Sequence, residues 1–161
     1  MTLERISEIN IVVNGANRSA TVDNRMTLLM LLRDIFDLTA AKRGCDRGEC
    51  GSCTVLLGSR PVNSCQVLAC SIDGQEVLTL EGIPEEDNLN YIQKAFIDND
   101  GTQCGYCAPG FIISTYSLLK NNHSPSDDDI KNAISGNLCR CNSYHTILDS
   151  IKSASKQRPN E

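Results

Sequence analysis

Apolar and polar positions alternate over Glu8-Ile9-Asn10-Ile11-Val12-Val13, a period of two that predicts a strand with one face buried. Asn14-Gly15 follows, a pair suited to a two-residue hairpin turn, and Arg18 to Val22 is the returning strand. Over Thr27 to Phe36 (TLLMLLRDIF) the period lengthens, apolar residues share one helical face, and Thr27 is placed to cap a helix. Cys53 to Leu57 and Arg60 to Ser64 flank Gly58-Ser59 and predict a second hairpin, and Glu76 to Leu80 predicts a last strand. A strand pair, a helix, a Gly-rich stretch and further strands make an α+β domain of β-grasp type.

The pattern changes at Gly82-Ile-Pro-Glu-Glu-Asp87, where proline and consecutive acids break the period and mark a linker. Helical spacing then governs Leu89 to Asp98, with Asn88 as its cap, and Pro109 to Asn121, with proline in the first turn. It returns over Ser126 to Ile134, where Ser126 and Asp129 resemble a capping box, and over Ser143 to Ser155. Four short helices predict a four-helix bundle, so the chain divides into domains 1–82 and 83–161. Lys156 to Glu161 is a polar tail expected to fray.

Composition narrows the class. Two domains drawn from 161 residues are each small enough for a metal centre to supply missing stability. Aromatic residues are only 4% and tryptophan is absent, so the cores are aliphatic. The net charge of −5, with no basic patch, excludes nucleic acid as the natural partner. Met1 to Asn10 carries Glu4, Arg5 and Glu8 and lacks a signal-peptide apolar core, and no apolar run approaches the roughly 18 residues of a membrane span. A cytoplasmic, thiol-reducing location is expected, where many cysteines mean metal rather than disulfides.

Eight of the nine cysteines form two sets. The first, Cys45-x4-Cys50-x2-Cys53, has the spacing of plant-type 2Fe–2S proteins and lies in the run GCDRGECGSC. Gly44, Gly48 and Gly51 suit a loop that must bend three thiolates onto iron with positive φ, and they free N–H groups to approach sulfur. Cys65 and Cys70 both lie downstream as a fourth ligand. Cys65 follows the hairpin and folds back across it, whereas Cys70, in an apolar run, reads as a packed thiol. The second set is Cys104-x2-Cys107 with Cys139-x-Cys141. Cys107 stands near a helix N-terminus, where the dipole favours thiolate. That spacing alone is shared by zinc and iron–sulfur sites; the triplet of the first set fits zinc poorly, since zinc draws on paired knuckles.

GCDRGECGSCTVLL, Asn63-Ser64-Cys65, QCGYCAPG and GNLCRC, in this order and over nearly the whole chain, resemble the small iron–sulfur subunit of the molybdenum hydroxylases. That family includes xanthine dehydrogenase, aldehyde oxidase, carbon monoxide dehydrogenase and 4-hydroxybenzoyl-CoA reductase. The resemblance implies a ferredoxin-like N-terminal domain holding an outer 2Fe–2S cluster on Cys45, Cys50, Cys53 and Cys65. It implies a helical domain holding a buried one on Cys104, Cys107, Cys139 and Cys141. It further implies a molybdopterin-binding large subunit approached by Gln103 and Cys141, and FAD on a medium subunit or another acceptor. Two departures stand out: Asn142-Ser143 replaces the usual Thr-Gly, so that Ser occupies a position where Gly would permit positive φ, and Ala108 replaces a Thr whose hydroxyl would serve as a cap.

Other residues invite less. His123 and His145 are the two histidines; His145 as a cluster ligand is redundant beside eight cysteines, and Asp127-Asp128-Asp129 reads as a solvated helix start rather than a cation site. Arg140 either offsets cluster charge or forms a surface salt bridge; Tyr106 reads as packing. The chain is too short for a molybdopterin domain and carries no dinucleotide fingerprint, so it has no substrate site of its own. An electron-transfer subunit of a purine dehydrogenase or aldehyde oxidoreductase leads. Subunits of the CoA reductase or carbon monoxide dehydrogenase type, a free-standing ferredoxin-like carrier and a zinc-stapled module are the alternatives.

Overall fold

A computed structural model describes residues 5–83 and 89–157. Strands β1 (Ile6–Val13) and β2 (Ala16–Asp23) pair antiparallel in the register Val13↔Ala16. Asn14 and Gly15 make the turn with φ of 53° and 76°, the left-handed pair that matches strand twist in a two-residue hairpin. Strands β3 (Thr54–Leu57) and β4 (Arg60–Asn63) form the second hairpin, and β5 (Glu76–Leu78) runs parallel to β1 and antiparallel to β3. The mixed sheet has the order β2-β1-β5-β3-β4. Leu80–Gly82, expected partly as strand, is a single 3-10 turn.

Thr27 caps the helix after β2 as expected, accepting from Met30 N at 3.3 Å. The helix is α only over α1 (Leu28–Met30) and widens to π geometry over Leu31–Ile35, where Phe36 N bonds Leu31 O. Leu28, Leu29, Leu31 and Leu32 are all fully buried on the sheet. An α and a π turn bury the same face over so short a run, which is why spacing alone predicts an unbroken helix. The wider turn ends with Phe36 beneath the Arg18 guanidinium, 5.1 Å from the ring centre.

The second half contains α2 (Tyr91–Asp98), α3 (Ala108–Asn121), α4 (Asp127–Ile134) and α5 (Tyr144–Gln157). The cap of α2 is Asn90, with Gln93 closing a capping box, so the helix begins later than Asn88 would require. Asn88 and most of the expected linker lie outside the described residues, as does the end of the tail; Lys156 and Gln157 are helical. The Ser126–Asp129 capping box of α4 forms as read from the sequence. α2 packs on α5, α3 on α4, and α3 also lies against β3. Strand β3 explains the joint: Val55 points into the core of the sheet half and Leu56 into the core of the helical half, so both faces of one strand are buried. Among the described residues no helix is long and apolar enough to cross a membrane.

Candidate functional site

The loop that enters β3 carries the first cysteine set. Asp46, Gly48 and Gly51 take positive φ there (57°, 81° and 68°). Gly44 does not; it is glycine for space, since a Cβ would stand 2.8 Å from Cys50 Sγ. The bent loop turns amide groups onto sulfur: Glu49 N and Cys50 N donate to Cys45 Sγ at 3.3 and 3.4 Å. The N–H of Arg47 lowers the Cys45 thiol most, and with the N–H groups of Cys50 and Glu49 and the Cys50 thiol it brings it down to about 7 against the cost of burial. Cys53, under the sheet, is pushed up to about 11, chiefly by burial and also by the Cys65 thiol beside it. Gln66 Nε2 donates to Cys65 Sγ at 3.4 Å, and Asn63 Nδ2 holds the loop at Gly48 O at 2.9 Å. Cys45 therefore pairs with Cys50, and Cys53 with Cys65. Cys70 stays apart from this set, its Sγ–H donating to Asn24 O at 3.5 Å.

The second set pairs in the same manner. Cys104 is held below its ordinary pKa by the N–H of Tyr106 and then by the Cys141 thiol. Cys107, the cap residue of α3, is pushed up to about 12 by burial and by the Cys139 thiol, which outweigh the favourable helix dipole expected there. Cys139 is lowered: burial opposes this, and the N–H of Ser143, the Cys107 thiol and the N–H of Cys141 prevail. The left-handed residue after the last cysteine is Asn142 (φ 63°), not Ser143, which overturns the expected strain at Ser143; asparagine tolerates this conformation. Gln103, Cys104, Tyr106, Leu138 and Arg140 lie beside or within these cysteine motifs and are exposed.

The two sets meet. Leu138 N–H donates to Cys50 C=O at 2.9 Å, joining a residue of the first set to the neighbour of Cys139. Asn137 Nδ2 donates to Gly51 O at 3.1 Å, while its Oδ1 accepts from Ser114 at 2.9 Å, all of it buried. Tyr106 OH reaches Arg43 O at 2.8 Å. Gly51 and Gly110 permit the approach: a Cβ on either would collide with the backbone of the other half, Gly136 O and Gly51 O respectively. Asn137, Ser114 and Gly110 hold this joint, and the sequence reading did not single them out; only the place of Asn137 two residues before Cys139 hinted at one of them.

The remaining candidates resolve into structure. His123 and His145 are exposed. Asp127 pairs with Lys152 at 2.8 Å and Asp128 with Lys131 at 3.3 Å, while Asp129 closes the α4 cap. Among the described residues no three of His, Cys, Asp or Glu converge on a point where one metal ion would sit. The donor set is instead four thiol pairs. A pair of thiolates on each of two irons is the demand of a 2Fe–2S centre, so the residues present fit that group.

Two known families match the chain: a 2Fe-2S iron-sulfur cluster binding domain over residues 11–75 and a 2Fe-2S binding domain over residues 79–152. The nicotinate dehydrogenase small FeS subunit of Eubacterium barkeri is 42% identical over 146 residues, covering 91% of this chain and 93% of that protein. The aldehyde oxidoreductase iron-sulfur-binding subunit of Escherichia coli (strain K12) is 42% identical over 164 residues, covering 92% of this chain and 72% of its own length. In the crystal structure of quinoline 2-oxidoreductase from Pseudomonas putida 86, one chain superposes with a TM-score of 0.90 at 37% identity, covering 95% of this chain and 96% of that one.

Proposed function

Because this chain belongs to the small iron–sulfur subunits of the molybdenum hydroxylases, we propose that it binds one 2Fe–2S cluster on Cys45, Cys50, Cys53 and Cys65 and a second on Cys104, Cys107, Cys139 and Cys141. It is the electron-transfer component of an oxidoreductase complex. Each cluster, when bound, takes up and releases one electron at a time. The protein's own part is to hold the thiolates, aim amide N–H groups at sulfur and keep the two sites in register.

The observation that carries this reading is the 2.9 Å hydrogen bond from Leu138 N–H to Cys50 C=O. It connects the two cysteine segments by a few covalent bonds and one hydrogen bond. A free-standing carrier needs no such fixed joint, and a zinc staple has no use for it. The division into domains 1–82 and 83–161 is supported by the two hydrophobic cores and by the two family matches. We read the four helices of the second unit as a four-helix bundle.

On this reading the exposed end of the second site faces a molybdopterin-binding large subunit, with Gln103 and Cys141 turned to the pterin. The first site serves FAD on a medium subunit or another acceptor. The substrates named for the relatives, nicotinate, quinoline and aldehydes, support a complex that oxidises aldehydes or N-heteroaromatic rings, purines among them. The cytoplasm, where thiols stay reduced, is the compartment that suits eight thiolate ligands.

EPR of the dithionite-reduced protein tests the assignment. Two distinguishable 2Fe–2S signals and about four irons per chain are expected, two for each cluster. A single signal, or zinc in a colourless protein made anaerobically with ample iron, rejects it.

A further inference from the structure

Ser143 lies between the second thiol set and α5. It is 5% exposed, and its hydroxyl is buried without a hydrogen-bond partner, the one such side-chain atom among the described residues. Buried hydroxyls are nearly always satisfied, so this one calls for a physical reason. Its place just ahead of Tyr144 is where a serine side chain ordinarily accepts from the second or third N–H of a helix. It does not do so here. The Ser143 carbonyl takes the first-turn bonds, from Ile147 N at 2.9 Å and Thr146 Oγ1 at 3.1 Å, and the hydroxyl is left over.

What the residue faces is sulfur. Its N–H donates to Cys139 Sγ at 3.5 Å, which sets the residue beside that thiol, while its hydroxyl makes no hydrogen bond. A protonated thiol is a weak acceptor. Ligation to iron removes that proton and turns the sulfur into a strong one. We propose that Ser143 O–H donates to Cys139 Sγ once the second cluster is bound, and that this bond raises the reduction potential of that cluster. The inference rests on Cys139 being a ligand. A donor at a ligand sulfur favours the reduced, more negative centre, so adding or removing one shifts the potential in a fixed direction. Ser143 is thus a positioning residue for charge, acting through Cys139.

Redox titration of the intact holoprotein, followed by EPR, reads both clusters in one sample. Ser143→Ala and Ser143→Gly are expected to lower the midpoint of the second cluster alone, by up to a tenfold change in its reduced-to-oxidised ratio, about 59 mV for one electron. Ser143→Thr, which keeps the hydroxyl, restores the wild-type value. An unmoved second midpoint, an equal displacement of both clusters, or a fall in unfolding temperature with the midpoint unchanged (the mark of a plain helix cap) would overturn the inference. Lack of a second 2Fe–2S signal in the unmutated protein would overturn the ligand assignment itself, and is read before any variant is made.

Discussion

Asn137 donates its side-chain amide to the carbonyl of Gly51 at 3.1 Å, across 86 positions of chain and inside the joint between the two halves. The same side chain accepts from Ser114 on α3. One asparagine therefore ties the first cysteine loop, the helix that follows Cys107 and the segment that leads to Cys139. Asn137→Ala leaves Gly51 O with its bonds from Thr54 N and Thr54 Oγ1, but deprives the buried Ser114 hydroxyl of its acceptor. A loss of about 1–3 kcal/mol is expected from that orphaned group. Urea unfolding of the holoprotein measures it; a change below about 0.5 kcal/mol would show that the joint is held by other contacts.

Local chemistry made much of this legible. Asn14-Gly15 dictates a hairpin whatever surrounds it, and Ser126 with Asp129 dictates a helix start, because each acts on its own backbone within three residues. The cysteine spacing pointed to both loops, and the structure brings their thiols together in twos, Cys45 by Cys50, Cys53 by Cys65, Cys104 by Cys141 and Cys107 by Cys139. The joint was not legible. Gly51 and Gly110 look like ordinary loop and helix glycines until the chain folds and a carbonyl occupies the space of each missing Cβ. The Asn90 cap was hidden by Asn88, an equally suitable residue two positions earlier, since only the packing of Ile92, Ala95 and Phe96 decides which asparagine begins the helix. Strain was expected at Ser143, whereas the positive φ falls on Asn142.

The start of α4 sets a pH dependence. The Asp129 carboxyl lies below its ordinary value because the Ser126 hydroxyl and N–H donate to it, and Asp127 lies below through Lys152. A folded value below the unfolded one, about 3.9, means that the stabilisation is present above that pH and is lost as pH falls through the folded value. The difference in unfolding temperature between the wild type and Asp129→Asn should be constant from pH 7 to 5 and shrink below about pH 4. Taking the difference cancels any acid effect on the metal sites common to both proteins. A difference that grows on acidification would contradict the assignment.

Cysteine variants separate ligands from packing. Cys107→Ser should remove the second 2Fe–2S signal and halve the iron while the first signal persists, since the first set belongs to the sheet half with its own core. Cys70→Ser should keep both signals, because the Cys70 thiol packs against that core and reaches only Asn24 O. Iron analysis with EPR checks both. Loss of iron in Cys70→Ser, or of both signals in Cys107→Ser, would mean that the sets are not built independently.

Gly110→Ala tests the joint from the side of α3. Within a helix, alanine is favoured over glycine by about 1 kcal/mol, so propensity alone predicts a gain. The new Cβ, however, meets Gly51 O, a backbone atom that cannot swing aside, and crowds Asn137 Nδ2 at 2.9 Å. Overpacking of this kind costs about 1–3 kcal/mol, which outweighs the gain. The loop must retreat, and Cys50 C=O retreats with it from Leu138 N–H. Two readings should move together: a lower unfolding temperature, and a weaker magnetic interaction between the reduced clusters. An unfolding temperature that rises, with the interaction intact, would show that the two loops do not approach as closely as Gly51 and Gly110 imply.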